Sequence, residues 1–424
     1  MIPRQIILFE LRVSVMSSGK ESAGLQKPTA PALHRAETDG QANEQLLYFT
    51  TASLTSDDRV LAVLTDRFAG GGTNLAHVDR LTGDIEPLTG ISGRGLACYP
   101  CFDCEDRGLN KSSPSLHPGI GDLYFVEGQG GGRSRVGCVN VHTGQGRMLA
   151  ELPPGVSCAY THISADNRRL LLPLTDEKVV AFARTRTRND EISQFFRREA
   201  LVTTLFEIDT VTGSGRVLWE EPDWVTHVQY HPTDFDCILF NHEWTWPLGL
   251  QRMWLRESPA RGPRRLRDVG RLAGRRYTTA HDGVSHEVWM ADGTSIIYHG
   301  ETGVGRGFVG RLVCGRDSMV EVELPAELCA SYGHFMPSPS GRAVATDSLA
   351  LVPGQDRSSQ QISLLDVDWD ACTMTVRHLG ENGSSWRTQD DHPHPVFAGD
   401  GRTIFYTSDR SGKRAVYSVL LDGE

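Results

Sequence analysis

One short phrase recurs along the chain: an apolar alternating run, a turn of Ser, Pro, Asp or Gly, and a second alternating run. It reads Leu54-Thr55-Ser56-Asp57-Asp58 into Val60-Leu61-Ala62-Val63, and again Ile163-Ser164-Ala165-Asp166-Asn167 into Leu170-Leu171-Leu172. His231-Pro232-Thr233-Asp234 into Ile238-Leu239-Phe240 and Met290-Ala291-Asp292-Gly293 into Ile296-Ile297-Tyr298 repeat it. So do Ser338-Pro339-Ser340-Gly341 into Ala343-Val344 and Ala398-Gly399-Asp400-Gly401 into Ile404-Phe405-Tyr406. A degenerate copy, His117-Pro118-Gly119 into Leu123-Tyr124-Phe125-Val126, makes seven. Asp and Gly supply the turn dihedrals, and the flanking alternation turns one face of each strand inward, which is the pattern of a β-hairpin.

A third strand closing in a second turn follows several copies: Leu75 to Gly83, Val139 to Gly144 and Leu205 to Gly213. Copies fall roughly 50 to 70 residues apart, and helical periodicity is almost absent. Seven units of three or four strands predict an all-β, seven-bladed β-propeller. A length of 424 residues would allow about three domains on average size alone. The repeats instead predict a single propeller over 42–424. Residues 1–41 read as a disordered extension: Glu10 and Arg12 interrupt the apolar Ile6 to Phe9 before a signal-peptide core forms, and Met16 is an alternative start.

The chain is 39% hydrophobic and 23% charged, enough for a large core and too apolar for a disordered chain. No apolar run reaches the ~18–20 residues of a membrane span. A net charge of −10 argues against a nucleic-acid binder held by a general positive field. Nine scattered cysteines, an odd number, fit reduced thiols in a cytoplasmic compartment better than an oxidised framework. Cys98, Cys101 and Cys104 share C-x-x-C spacing but lack the second pair of a zinc knuckle. Gly305 to Gly310 fits G-x-G-x-x-G without the βαβ context that gives it meaning.

The strongest chemical signal is Gln389-Asp390-Asp391-His392-Pro393-His394-Pro395. In an extended segment, side chains at i and i+2 share a side, so His392 and His394 project together and the prolines stiffen their support. Gln389 can curl back as an oxygen donor. Ser285-His286-Glu287 holds the corresponding place in its own repeat, and Thr161-His162, Thr226-His227 and Gly333-His334 match again. Equivalent positions ring the channel of a propeller, so several histidines aim at one axis. A set of imidazoles and one amide suits Mn²⁺ or another divalent transition metal better than Ca²⁺. The competing reading is a strand entry with solvent-facing histidines. Asn241-His242-Glu243-Trp244-Thr245-Trp246 forms a polar-aromatic strand end, suited to stacking on sugar rings or to packing between blades. The charged stretch 184–199 reads as an insertion, either a solvated excursion or a lid bringing arginines to an anionic substrate.

Three of these runs, Asn241-His242-Glu243, Ser285-His286-Glu287-Val288-Trp289 and Gln389 to Pro395, resemble the oligogalacturonate lyases (pectate lyase family 22). Phe405-Tyr406-Thr407-Ser408-Asp409 and the Ser56 to Gly83 repeat share the likeness. The resemblance implies an intracellular seven-bladed enzyme of pectin breakdown, with Mn²⁺ held by His286, Gln389, His392 and His394 and with His242 as base. It also implies β-elimination on short galacturonides, such as digalacturonate, to a 4-deoxy-5-keto uronate. Where family members carry Cys, Gly and Arg, this chain has Asn241, Trp244 and His231, which bears on the choice of uronide. His231, Arg67, Arg252, Arg387 and Arg410 are candidate partners for substrate carboxylates. A lyase for another uronide and a non-catalytic interaction propeller are the alternatives, and the oligomeric state is open.

Overall fold

The computed structural model describes residues 34–421, except 69–71, 93–94, 98–108, 110–111, 131, 186–187, 245–250, 268–271, 274–282, 303–304, 317, 326–327, 331–332 and 351–358. The C-x-x-C cysteines and Trp246 lie outside the described residues. Seven antiparallel sheets follow one another along the chain as the blades of a propeller. In the first, Glu44–Leu46, Val60–Thr65, Asn74–Asp79 and Ile85–Pro87 pair in order. In the fifth, the order is Gly283–Trp289, Ser295–Glu301, Gly307–Val313 and Ser318–Glu323, with Leu272–Ala273 added in parallel at the outer edge.

The recurring turn folds alike in five blades. Asp58, Asn167, Gly293, Gly341 and Gly401 have φ between 55° and 69°. Each donates its backbone N–H to the residue three positions earlier: Thr55, Ser164, Met290, Ser338 and Ala398. Left-handed φ is tolerated by Gly, Asn and Asp, which explains why the phrase always ends in one of them.

The buried apolar faces meet between blades. Leu64, Leu75, Leu123 and Val139 join the first two, and Leu239, Met253, Ile296 and Phe308 join the fourth and fifth. The turns also clasp one another at one end of the channel. The Asp58 carboxylate accepts the N–H groups of Gly399 and Asp400, and His117 and His231 bond the carbonyls of Ala165 and Gly293. These turns rim a funnel of about 630 Å³.

The ring closes with a strand from the other end of the chain. His34–Ala36 pairs antiparallel with Tyr417–Val419 and forms the outer strand of the seventh blade, beyond Ala415–Leu420, Thr403–Ser408 and Val396–Phe397. The His34 ring bonds the Tyr406 hydroxyl at 2.6 Å and the Leu379 carbonyl at 3.0 Å. The propeller therefore reaches back at least to His34, rather than beginning at residue 42. The apolar pattern needed to foresee this is missing, because the strand is held by backbone pairing and one imidazole.

The insertion after Arg169–Asp176 folds into two helices, Lys178–Ala183 and Asn189–Arg198. Val179, Ile192 and Phe196 are fully buried, and Phe182 stacks on Phe195 at 3.9 Å. It is a packed cap, not a solvated excursion. Three of its arginines are matched locally: Arg188 with Asp190, Arg197 with Asp223 and Arg198 with Glu199.

Candidate metal centre and its surroundings

The segment bearing the His-Pro-His pair is fixed from both ends. Thr388 and Asp391 form a reciprocal cap around the 3₁₀ turn Gln389–Asp391, and Arg414 pairs with Asp391 at 2.8 Å. Pro393 lacks an N–H, but its carbonyl accepts the Thr407 N–H at 2.8 Å, which lays the segment against the seventh blade. His392 and His394 are thereby buried, with ring centroids 6.0 Å apart.

A third histidine joins them. Nitrogen atoms of His334, His392 and His394 all lie within 4.8 Å of one another. His286 stands against His334, with centroids 4.8 Å apart, and bonds His299 through Nδ1 at 2.8 Å. Burial first, and then the neighbouring His334, His299 and His227, lower the pKa of His286 well below 6.5. A neutral imidazole is the form that ligates a metal. Gln389 opens the 3₁₀ turn, half-buried, and its carbonyl accepts the His392 N–H.

Backbone strain gathers at the same place. Of the eight non-glycine residues with positive φ among those described, three are His286, Trp386 and His394. Such strain concentrates at functional sites, where the surroundings over-determine it. At His286 the cause is visible: the strand bulges between Ser285 and Val288, sending His286 to the cluster and Glu287 the other way.

Glu287 enters a buried ionic group. Arg252 donates from Nε to Glu287 at 3.0 Å and from Nη1 to Glu243 at 2.9 Å. His227 lies 3.2 Å from Glu287 through Nδ1, and its Nε2 is 3.1 Å from the Tyr48 hydroxyl. Burial alone would raise the Glu243 carboxyl. Arg252 and His227 oppose it, hydrogen bonds from Thr226 and Arg252 add to them, and the pKa settles at about 2. His227 stacks on His286 at 5.9 Å, which joins this group to the cluster.

His242 sits at the end of Ile238–Asn241, between two acids. Its Nε2 is 3.0 Å from Glu221 and its Nδ1 3.1 Å from Asp223, with Trp254 stacked on the ring at 4.5 Å. Burial works against the charged imidazole, but hydrogen bonds and charge from Asp223 and Glu221 overturn that and raise the pKa above 6.5. Arg197 of the helical cap pairs with the same Asp223, and the Ser193 hydroxyl donates to the Glu243 carbonyl. The cap thus rests directly on the His242-Glu243 corner.

The five candidate carboxylate partners fall in different places. Arg67 is held by Glu44 and Asp39, and Arg252 by its two buried glutamates. Arg410 donates to the carbonyls of Glu381 and Asn382, and His231 caps a turn beside the funnel. Arg387 is exposed, between Trp386 and the 3₁₀ turn. The sequence reading left out of the proposed ligand set His334, whose repeat-equivalent position was its one signal. It also missed Glu221 and Asp223, which carry no motif.

The family described as oligogalacturonate lyase matches residues 184–423. An oligogalacturonide lyase of Pectobacterium atrosepticum is 26% identical over 222 residues, half of this chain and 54% of that protein. An oligogalacturonate lyase of Dickeya dadantii is 25% identical over 221 residues, with the same coverage. The match thus spans about half the length of these curated relatives. A solved oligogalacturonate lyase in complex with manganese superposes with a TM-score of 0.73 at 20% identity, covering 94% of this chain and 96% of that one. Propeller, histidine cluster and matched sequence agree: the chain belongs to the oligogalacturonate lyase family.

Proposed function

We propose that this chain is an oligogalacturonate lyase, cleaving short acidic oligosaccharides such as digalacturonate by β-elimination, in pectin breakdown. The observation that carries it is the buried cluster of His334, His392 and His394 in a propeller of this family. Borderline nitrogen donors suit Mn²⁺ or a similar divalent ion, and His392 and His394, with His286 and Gln389, would hold it. When bound, the cation supplies Lewis acidity at the uronate carboxylate, acidifying the α-carbon.

The chain's own groups do the rest. His242 is the base for the C5 proton, after which the C4–O bond breaks, the departing sugar oxygen takes up a proton and a 4,5-unsaturated end is left. Proton abstraction by a positioned side chain is worth roughly 10²–10⁴-fold. Glu221 and Asp223 hold a proton on His242, so the ring must lose it before acting. Arg387 is the exposed cation available to a second substrate carboxylate. A cytoplasmic setting belongs to this reading, since an odd number of scattered cysteines fits reduced thiols. No helix among the described residues is long and apolar enough to cross a membrane.

The test is digalacturonate cleavage, followed by the ultraviolet absorbance of the unsaturated product and in parallel by α-keto acid, with chelator and with Mn²⁺ restored. Chelator-sensitive product supports the reading. Bound metal without galacturonide cleavage would point to another uronide, and neither metal nor product to a binding propeller.

A pH profile tests His242 separately. A base with a raised pKa loses activity as pH falls through that value, so the acidic limb of kcat/KM is expected on the alkaline side of 6.5. Glu221→Gln removes one opposing charge and should move the limb acidward by roughly one pH unit. A limb that ignores both Glu221→Gln and Asp223→Asn would sink His242 as the base.

A further inference from the structure

The centre of the histidine cluster is a residue outside the set that the sequence motifs indicate. His334 lies 3.6 Å from His394, 5.3 Å from His392 and 4.8 Å from His286, measured between ring centroids, whereas His392 and His394 are 6.0 Å apart. It is fully enclosed, at 2% exposure. We infer that His334 is itself a ligand of the metal centre in this chain, oriented by Asp347, an assignment that rests on the metal-dependent reading above.

Asp347 is the reason. Its Oδ2 is 2.8 Å from His334 Nδ1, and its Oδ1 accepts the His334 backbone N–H at 2.9 Å. A carboxylate only accepts, so Nδ1 of a neutral His334 carries the proton and Nε2 carries the lone pair. A metal-ligating histidine characteristically gives its other N–H to a carboxylate in this way, which fixes the tautomer and strengthens the donor. The same Oδ2 accepts the backbone N–H of His394 at 3.1 Å, where φ is +47°. One buried anion therefore sets the ring of one histidine and the strained backbone of another.

The local fold is built to bring that anion there. The strand Ala343–Ala350 loses register between Thr346 and Leu349, which places Asp347 and Ser348 in a bulge. The Asn382 amide donates to the Asp347 carbonyl at 3.0 Å, tying the bulge down. Gly333 lies so close to the bulge that a Cβ there would stand 2.0 Å from Ser348 Cβ and 2.8 Å from Asp347 Oδ1. The residue before His334 must lack a side chain for the imidazole to reach the carboxylate. Nitrogens within 4.8 Å of one another would close by a further ångström or two to the N···N edge of about 3 Å around a bound transition ion.

The experiment titrates the metal-free full-length chain with Co²⁺, following the visible bands of the bound ion, and repeats the affinity with Mn²⁺. His334→Gln is expected to weaken binding at least tenfold and to move the Co²⁺ bands. Asp347→Asn is expected to weaken it by roughly 10–100-fold, the usual effect of a partner that orients a ligand. His334→Cys adds a gained signal, a thiolate–Co²⁺ charge-transfer band in the near ultraviolet, because a coordinating thiol is deprotonated by the metal. His334→Gln with unchanged affinity and bands, or a His334→Cys chain folded as the wild type by circular dichroism but without the band, overturns the assignment. A wild-type chain that cleaves digalacturonate with metal while these variants bind metal normally sinks the assignment alone. A wild-type chain that binds Co²⁺ through position 334 but cleaves no galacturonide sinks the lyase reading alone.

Discussion

His392→Ala is expected to lower digalacturonate cleavage by at least ~100-fold at limiting Mn²⁺, since losing a group that merely orients a ligand already costs roughly 10–100-fold. The ring lies buried on Trp386 at 4.6 Å, at the end of a segment fixed by the Thr388–Asp391 cap and the Pro393 carbonyl. None of these anchors involves the His392 ring, so the fold should survive its removal. The defect should therefore appear as a raised Mn²⁺ requirement with little change in melting temperature. His242→Ala should do the opposite, losing roughly 10²–10⁴-fold in rate with metal affinity intact. If both variants showed the same metal dependence as the wild type, the division between a cation-holding cluster and a separate base would fail.

Arg252→Met should have the largest effect on stability. Arg252 is 8% exposed and is shared by two carboxylates, Glu243 and Glu287, that are themselves buried. Removing one partner from such a group strands uncompensated charge, at a cost of roughly 3–5 kcal/mol. The pH dependence gives the cause away. In the native chain the Glu243 carboxyl lies below its ordinary 4.5, so its contribution is present above that value and lost as pH falls toward about 2. Without Arg252, burial is opposed only by His227 and, at Glu243, by the Thr226 hydroxyl, so both carboxyls should rise. The variant should then be least stable above pH 4.5 and recover as acid protonates them, the reverse of the native trend. Adding Glu287→Gln should restore part of the loss, because the two changes share a contact. Urea unfolding across this pH range measures all three. A variant that weakens equally at every pH would show that Arg252 acts by packing alone.

What the sequence disclosed follows the range of the physics involved. Turns are local, so the Asp, Asn or Gly closing each phrase was readable and recurs at Asp58, Asn167, Gly293, Gly341 and Gly401 with one hydrogen-bond pattern. Alternation is also local, and it delivered the seven blades. The His392-Pro393-His394 geometry is a matter of two residues and was readable too. His334 was visible as a repeat-equivalent position, but its role depends on a bulge at Asp347 and on Gly333 lying against it. In sequence Arg252 looks like any substrate-binding cation; only burial beside Glu243 and Glu287 shows where its charge is used. His231 was misleading for the opposite reason, since its role as a turn clasp depends on the neighbouring blade. Glu221 and Asp223 come from the end of the preceding blade and meet His242 only where the two blades pack together.

The pairing of His34–Ala36 with Tyr417–Val419 has a consequence for how the molecule is made. A ribosome releases residue 34 long before residue 417, so the strand His34–Ala36 must wait for its neighbour. Until then the growing chain exposes two unpaired sheet borders, the kind of surface that recruits other chains. Ring completion must wait until Tyr417–Val419 has been made, and the long wait makes this seam the natural place for two nascent copies to exchange strands.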